Sequence, residues 1–110
     1  MTEEREPFER VTVEQAKEMI DRGEVTVIDV REPWEYQRGH VPGAQLIPLN
    51  QILTRGRELL QGKESILFVC GVGERSAVAC EAAAAFGLKK LYNLEGGTQR
   101  WVKLGLPVEQ

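Results

Sequence analysis

The seven residues Cys70-Gly71-Val72-Gly73-Glu74-Arg75-Ser76 put a nucleophile, two glycines and a cation into one short stretch. Cys70 closes an apolar run and Arg75 opens an Ala-rich one, so the stretch joins a buried strand to a helix. In such a loop the backbone N–H groups can converge on the sulfur. Gly71 and Gly73 admit the positive φ angles that a nest of this kind requires. The helix start behind it adds a partial charge of about +0.5. These features favour an anion at sulfur and predict a Cys70 thiol that ionises below the free value of about 8.5. The expected chemistry is attack by a thiolate. Arg75 points the same way. A cation in the first helical turn opposes the dipole by ~0.3–1 kcal/mol, which a chain built for stability alone would avoid. Its guanidinium suits an anionic oxygen or sulfur on a ligand. Gly71, Val72, Gly73, Glu74, Arg75 and Ser76 are therefore the candidate anion-binding set. Glu74 also suits the helix start electrostatically. Taken alone, Cys70 would read as a small buried apolar residue; its company changes that reading.

The elements that must hold this loop follow from periodicity. Thr12-Val13-Glu14-Gln15 has the form of a capping box. Val13, Ala16, Met19 and Ile20 make a helical stripe that Gly23 ends. Val25 to Val30 is a β-branched apolar run, read as a buried strand. Pro33 opens a short helix and Gly39 closes it. A short strand over Gln45 to Pro48 precedes a helix from Asn50 to Leu60, interrupted by Gly56. Ser65 to Val69 is a strong strand, Arg75 to Phe86 a helix, Lys90 to Leu94 a strand and Thr98 to Leu104 a final helix. Alternating strands and helices with short links imply a parallel sheet covered on both faces. Sites on such sheets lie at the carboxyl ends of the strands, here after Val30 and Val69.

Composition limits the alternatives. The chain has 110 residues, the size of one domain, and is 42% hydrophobic and 28% charged. We expect a tail over residues 1–7 and a single domain over 8–110. Its net charge of −3 argues against nucleic acid as a partner. Two Cys and one His make a structural zinc site or a disulfide scaffold a poor fit. The longest apolar runs, Ile66 to Cys70 and Ala82 to Phe86, span five residues each, against ~20 for a membrane helix. The polar, acidic start does not resemble a secretory signal. The expectation is a soluble, monomeric, cytoplasmic protein with reduced thiols and no metal, cofactor or membrane partner.

From Glu9 to Val108 the chain resembles a single-domain rhodanese, the sulfurtransferase module. The resemblance rests on Val27-Ile28-Asp29-Val30-Arg31-Glu32, on Gly39-His40-Val41-Pro42-Gly43-Ala44, and on the Cys70 loop. It continues through Leu94-Glu95-Gly96-Gly97, Trp101 and Gly105-Leu106-Pro107-Val108. It implies a three-layer α/β/α rhodanese fold with a five-stranded parallel sheet of order 3-2-4-5-1. It also implies that Cys70 carries a sulfane sulfur as a persulfide. The sulfur would come from a donor such as thiosulfate and pass to cyanide, a thiol or a protein acceptor. An alternative is a persulfide relay or binding module for a protein partner, with little small-molecule turnover. Related phosphatases place one residue more between Cys and Arg, so the shorter loop here disfavours phosphate chemistry. Many thiosulfate-using relatives carry a cation inside this loop. Here Gly71 to Glu74 contains none and one carboxylate, which points to a less charged persulfide donor or a protein.

Other residues have two readings each. Arg31 follows a site strand, and the family pattern places it near the pocket as a second anion-attracting group. It could equally pair with Asp29, Glu32 or Glu35. Asp29 reads as structural, holding loop amides or Arg31. His40, the single His, reads as an orienting hydrogen-bonder rather than a proton shuttle. Trp34, Tyr36 and Trp101 could rim the pocket, with Trp34 the best placed. Cys80 lies inside the helix after Arg75, too far along its axis to bridge to Cys70, and reads as a small buried residue.

Overall fold

A computed structural model of the chain describes residues 6–110, so most of the expected tail over 1–7 lies outside the described residues. Five strands form one sheet: β1 (Glu9–Val11), β2 (Thr26–Asp29), β3 (Gln45–Leu46), β4 (Ser65–Val69) and β5 (Lys90–Leu94). Five helices alternate with them: α1 (Val13–Asp21), α2 (Pro33–Arg38), α3 (Leu49–Leu59), α4 (Glu74–Ala85) and α5 (Gly97–Lys103). The sheet order is β1-β5-β4-β2-β3, which read from the other edge is 3-2-4-5-1. Every pairing is parallel.

Side chains on the two central strands alternate between the faces, as the strand period demands. Ile66, Phe68 and Cys70 enter a core layer with Ile28, Ile52, Ala79 and Ala83, under α3 and α4. Leu67 and Val69 enter the other, with Val13, Ala16, Val27 and Trp101, under α1 and α5. The phase set by Ile66 and Phe68 thus delivers Cys70 to the α4 side of the sheet. α4 accepts this position through its short buried stripe, Ser76, Ala79, Cys80 and Ala83.

Local chemistry explains most element ends. Thr12 and Gln15 form the reciprocal capping box of α1, with bonds of 2.8 and 3.1 Å. Pro33 starts α2 and Gly39 follows its last turn. Three details differ from the sequence expectations. β1 has no periodic signature, because three edge residues with one buried side chain are too few to show alternation. β3 spans two residues only, and Pro48 beyond it has no N–H to extend a ladder. The irregular backbone of α3 falls at Arg55 (φ −133°), not at Gly56. Gly56 serves a close approach instead: a Cβ there would lie 2.2 Å from the Phe86 ring. No helix among the described residues is long and apolar enough to cross a membrane.

Candidate active site

β4 ends at Val69 and α4 begins at Glu74, so Cys70 to Gly73 cross the carboxyl edge of the sheet. The turn is closed from behind by α5. Thr98 N–H donates to Cys70 O at 2.8 Å and Gln99 N–H to Gly71 O at 3.1 Å. A trans peptide points its N–H opposite its C=O. Drawing these two carbonyls outward therefore turns the Gly71 and Val72 amides toward the loop interior. Asn93 Nδ2–H does the same for the next part of the loop by donating to Gly73 O at 3.0 Å. Gly73 has φ +107°, the left-handed geometry that lets the chain enter α4 from the loop. Gly71 does not share it; only Gly73 of the pair has positive φ. The expectation of positive φ at both is corrected. A Cβ at Gly71 would sit 3.2 Å from Arg75 Nη2, a tight approach that the guanidinium would have to yield to.

Within this ring the Cys70 sulfur accepts from Gly73 N–H at 3.1 Å. Ser76 Oγ lies 3.3 Å from it. The same hydroxyl meets Asn93 Oδ1. Cys70 and Ser76 are both fully buried. Burial alone would raise the thiol pKa. The Ser76 hydroxyl and the backbone N–H groups of Ser76, Gly73 and Val72 overrule it and bring the pKa below the ordinary value. Hydrogen bonds to the charged form favour that form. The sulfur is thus shut in by amides and a hydroxyl on its loop side, not by hydrocarbon. Cys80 is the contrast. It is equally buried, packs within the apolar core with a hydrogen bond to Tyr92 O at 3.4 Å, and burial pushes its thiol far up.

Arg75 lies beside the ring, but its fork is taken. Nη1 and Nη2 donate to Glu35 Oε1 and Oε2 at 2.8 and 3.0 Å, a bidentate pair reaching back forty residues to α2. Arg75 holds the Glu35 carboxyl down at about 2. Arg31 is buried and bound to Asp29, Nε to Oδ1 at 2.9 Å and Nη2 to Oδ2 at 2.9 Å, with a further bond from Nη2 to Gly39 O at 2.8 Å. Asp29 Oδ1 also accepts the Arg31 backbone N–H at 3.0 Å. His40 Nδ1–H donates to Tyr36 O at 2.8 Å, and its ring stacks on Tyr36 at 3.6 Å between centroids. Of the three aromatics, Trp34 is exposed beside the loop, Tyr36 is half-buried with its hydroxyl on Ala44 O, and Trp101 is in the core. Glu74 and Val72 are exposed, and of the two it is the Val72 backbone N–H that favours the thiolate.

Sequence reasoning missed Asn93 and the seat made by α5; of the three partners it offered Arg31, Asp29 is the one observed, and Glu35 pairs with Arg75 instead. Asn93 had one visible signal, an amide in the otherwise apolar end of a central strand. Among the described residues no group of three or more His, Cys, Asp or Glu is placed to hold a metal.

A family model described as Rhodanese-like domain matches residues 12–104. The chain is 35% identical over 92 residues to YrkF of Bacillus subtilis, named provisionally as a sulfur carrier protein. That match covers 83% of this chain and 49% of YrkF, so the chain spans about half that relative's length. A protein of Allochromatium vinosum named sulfurtransferase is 30% identical over 93 residues, covering 84% of this chain and 86% of its own. A crystal structure of a rhodanese-related protein from Thermoplasma volcanium superposes with a TM-score of 0.80 at 32% identity, covering 92% of this chain and 97% of that one. With a buried cysteine in an amide ring at the carboxyl edge of this five-stranded sheet, the chain belongs to the rhodanese-like domain family.

Proposed function

We propose that residues 8–110 act as one unit, a sulfurtransferase that holds a sulfane sulfur as a persulfide on Cys70. One observation supports this most directly: the fully buried Cys70 sulfur accepts from Gly73 N–H at 3.1 Å and lies 3.3 Å from the Ser76 hydroxyl, contacts that favour its charged form. Such preorganised donors stabilise charge on sulfur before and after transfer. With the thiol already ionised, no separate general base is required. In the first step the Cys70 thiolate attacks the sulfane sulfur of a donor such as thiosulfate. A sulfur–sulfur bond forms to Cys70, the bond to the sulfonate breaks, and its electron pair leaves with sulfite. The outer sulfur then takes over the ring's hydrogen bonds. In the second step cyanide, a thiolate or a protein acceptor attacks that outer sulfur, and the electron pair of the broken bond returns to Cys70. The cytoplasm suits this cycle because it keeps free thiols reduced.

A second reading, a persulfide relay serving a protein partner, has its own support. Gly71 to Glu74 contains no cation, and Glu35 neutralises Arg75, so the loop itself offers no unpaired side-chain cation to a free dianion. Intact mass after exposure to thiosulfate tests both. We expect one added sulfur atom, lost on treatment with cyanide, absent in Cys70→Ser and retained in Cys80→Ser. Addition without turnover would select the relay. Addition that persists in Cys70→Ser would overturn both.

A further inference from the structure

Leu91 and Asn93 share the face of β5 that looks toward α4, and the parallel register sets Arg10 of β1 beside Asn93. A line of polar contacts follows from this placement, running from the sheet edge to the sulfur. Arg10 Nη2 donates to Glu6 Oε2 at 2.5 Å and Nη1 to Glu95 Oε2 at 2.9 Å. Asn93 is fully buried, and its Nδ2 donates to Glu95 Oε2 at 3.4 Å and to Gly73 O at 3.0 Å. A carboxylate and a carbonyl can only accept, so the amide nitrogen faces them and Oδ1 faces the Ser76 hydroxyl. That hydroxyl thus stands between two acceptors, Asn93 Oδ1 and the Cys70 sulfur, with one proton to give. When the sulfur is a thiol, it donates to Ser76 Oγ, Ser76 donates to Asn93, and all are paired. When the sulfur is a bare thiolate, the hydroxyl turns to it and Asn93 Oδ1 is left buried without a donor, at a cost in free energy. A Cys70 sulfur bonded to a second sulfur is uncharged again, because the charge sits on the outer atom. The Ser76 proton then returns to Asn93. The peptide held by Asn93 through Gly73 O carries the Glu74 N–H, whereas the amides that favour the thiolate are those of Ser76, Gly73 and Val72. Asn93 therefore bears on the sulfur through Ser76. The charged groups around this line are Glu95 and Glu6 with Arg10, Glu35 with Arg75, and Asp29 with Arg31, so each carboxylate is already engaged by an arginine. Cys80, the other thiol of this layer, is occupied with Tyr92 O.

We propose that Asn93, anchored by Glu95 and Arg10, is a positioning residue that reserves the Ser76 proton while the Cys70 sulfur is uncharged, and so favours the sulfur-loaded protein over the empty thiolate. The proposal rests on the sulfurtransferase reading and adds a bias to its two states. In loading, the Cys70 thiolate and thiosulfate give the Cys70 persulfide anion and sulfite. The sulfur–sulfur bond to Cys70 forms, the bond to the sulfonate breaks with its electron pair leaving on sulfite, and no proton is exchanged. The negative charge moves one atom outward, away from Ser76, and Asn93 regains its donor. Unloading reverses this and leaves Asn93 unpaired, so the line of contacts resists the empty state.

Iodoacetamide alkylation of Cys70 in the reduced full chain, followed against pH, reads the empty state without any sulfur donor. Asn93→Leu should lower the midpoint by about 0.5–1 pH unit, whereas loss of a residue that merely braced the loop would raise it. In a Ser76→Ala background the same change should leave the midpoint in place, because no hydroxyl proton remains to be reserved. Glu95 is half-exposed, so its variants carry the test even where Asn93→Leu does not fold. Glu95→Ala should lower the midpoint by about 0.2–0.5 pH unit, and Glu95→Gln, which keeps an acceptor oxygen, should match the wild type. The loaded state is read by intact mass at a fixed ratio of thiosulfate to sulfite, where Asn93→Leu should hold a loaded-to-empty ratio about three- to tenfold lower. A midpoint that holds or rises in Asn93→Leu, one that falls equally in the Ser76→Ala background, or an unchanged loaded ratio would overturn the proposal. Equal shifts in Glu95→Ala and Glu95→Gln would reduce Glu95 to a through-space charge and overturn its anchoring role. A wild-type chain that gains no sulfur would instead overturn the sulfurtransferase reading, with the alkylation midpoints still deciding who holds the Ser76 proton.

Discussion

At the scale of single residues, the site balances two opposed effects on one sulfur. Burial pushes the Cys70 thiol toward neutrality, while Ser76 and the loop amides pull it toward the anion and prevail. Ser76 lies between Cys70 and Asn93, so its hydroxyl proton is offered to a neutral carbonyl or to the sulfur. An anionic sulfur is the stronger acceptor. Ser76→Ala should therefore move the midpoint of Cys70 alkylation against pH upward. It should also destabilise the fold by about 1–3 kcal/mol, because buried Asn93 loses a donor. A midpoint unmoved by the change would place the anion's support in the amides alone. Glu35 sets the charge of the mouth. Its carboxyl ionises at about 2 rather than 4.5 in the grip of Arg75, so the pair's contribution to stability is complete above about pH 4.5 and drains as pH falls toward 2. Arg75 is 40% exposed, so screening keeps that contribution below about 1 kcal/mol. Glu35→Gln should have its larger effect on substrate choice. It unmasks one positive charge, and the KM for thiosulfate should fall about threefold at low salt, with the gain shrinking as ionic strength rises.

At the scale of elements, the ring of amides is made by α5 as much as by the loop itself. Gly97 lets the start of α5 lie against the loop backbone. Its φ is +59°, and a Cβ there would stand 2.4 Å from Cys70 O and 2.5 Å from Gly71 O. Gly97→Ala would force those carbonyls from their outward bonds and turn the attached amides away from the sulfur. The expected cost is roughly 2–4 kcal/mol, from strain and overpacking together, with a rise in the Cys70 alkylation midpoint. Gly62→Ala is the control. Its φ is +84° with nothing within 4 Å, so it should lose about 1–2 kcal/mol and leave the midpoint in place. Chemical denaturation and the pH profile of alkylation, measured on both variants, separate backbone strain from damage to the ring.

At the scale of the whole molecule, the two core layers have different bearings on the site. The layer under α3 and α4 contains Cys70 itself. The layer under α1 and α5 holds Trp101, whose Nε1–H donates to Pro107 O at 2.7 Å and ties the C-terminal segment to the sheet. Trp101 is 1% exposed, so Trp101→Ala should cost roughly 3–5 kcal/mol. Because Trp101 is the anchor of α5, loss of Thr98 and Gln99 support should follow, and Cys70 should alkylate less readily at low pH even where the fold survives. A destabilised but folded variant with an unchanged alkylation profile would show that α5 keeps its seat without this side chain.

The chain by itself determined the candidate cysteine, the loop that carries it and the elements on either side. These are local properties. The phase of Ile66, Phe68 and Cys70, the capping box at Thr12, and the glycine before α4 each act within one element or across one junction. The family likeness extended this to the sheet order, including the edge strand β1, whose three residues are too short to declare themselves. Tertiary structure alone decided who meets the loop: Asn93 from β5, Glu35 from α2, and Gly97 with Thr98 from α5. The physical reason is that hydrophobic periodicity records which face an element buries, not which distant element covers it. Arg75 shows the consequence. Its position beside the nest was legible, yet its partner came from forty residues away, and that partner changed it from a free clamp into half of an ion pair.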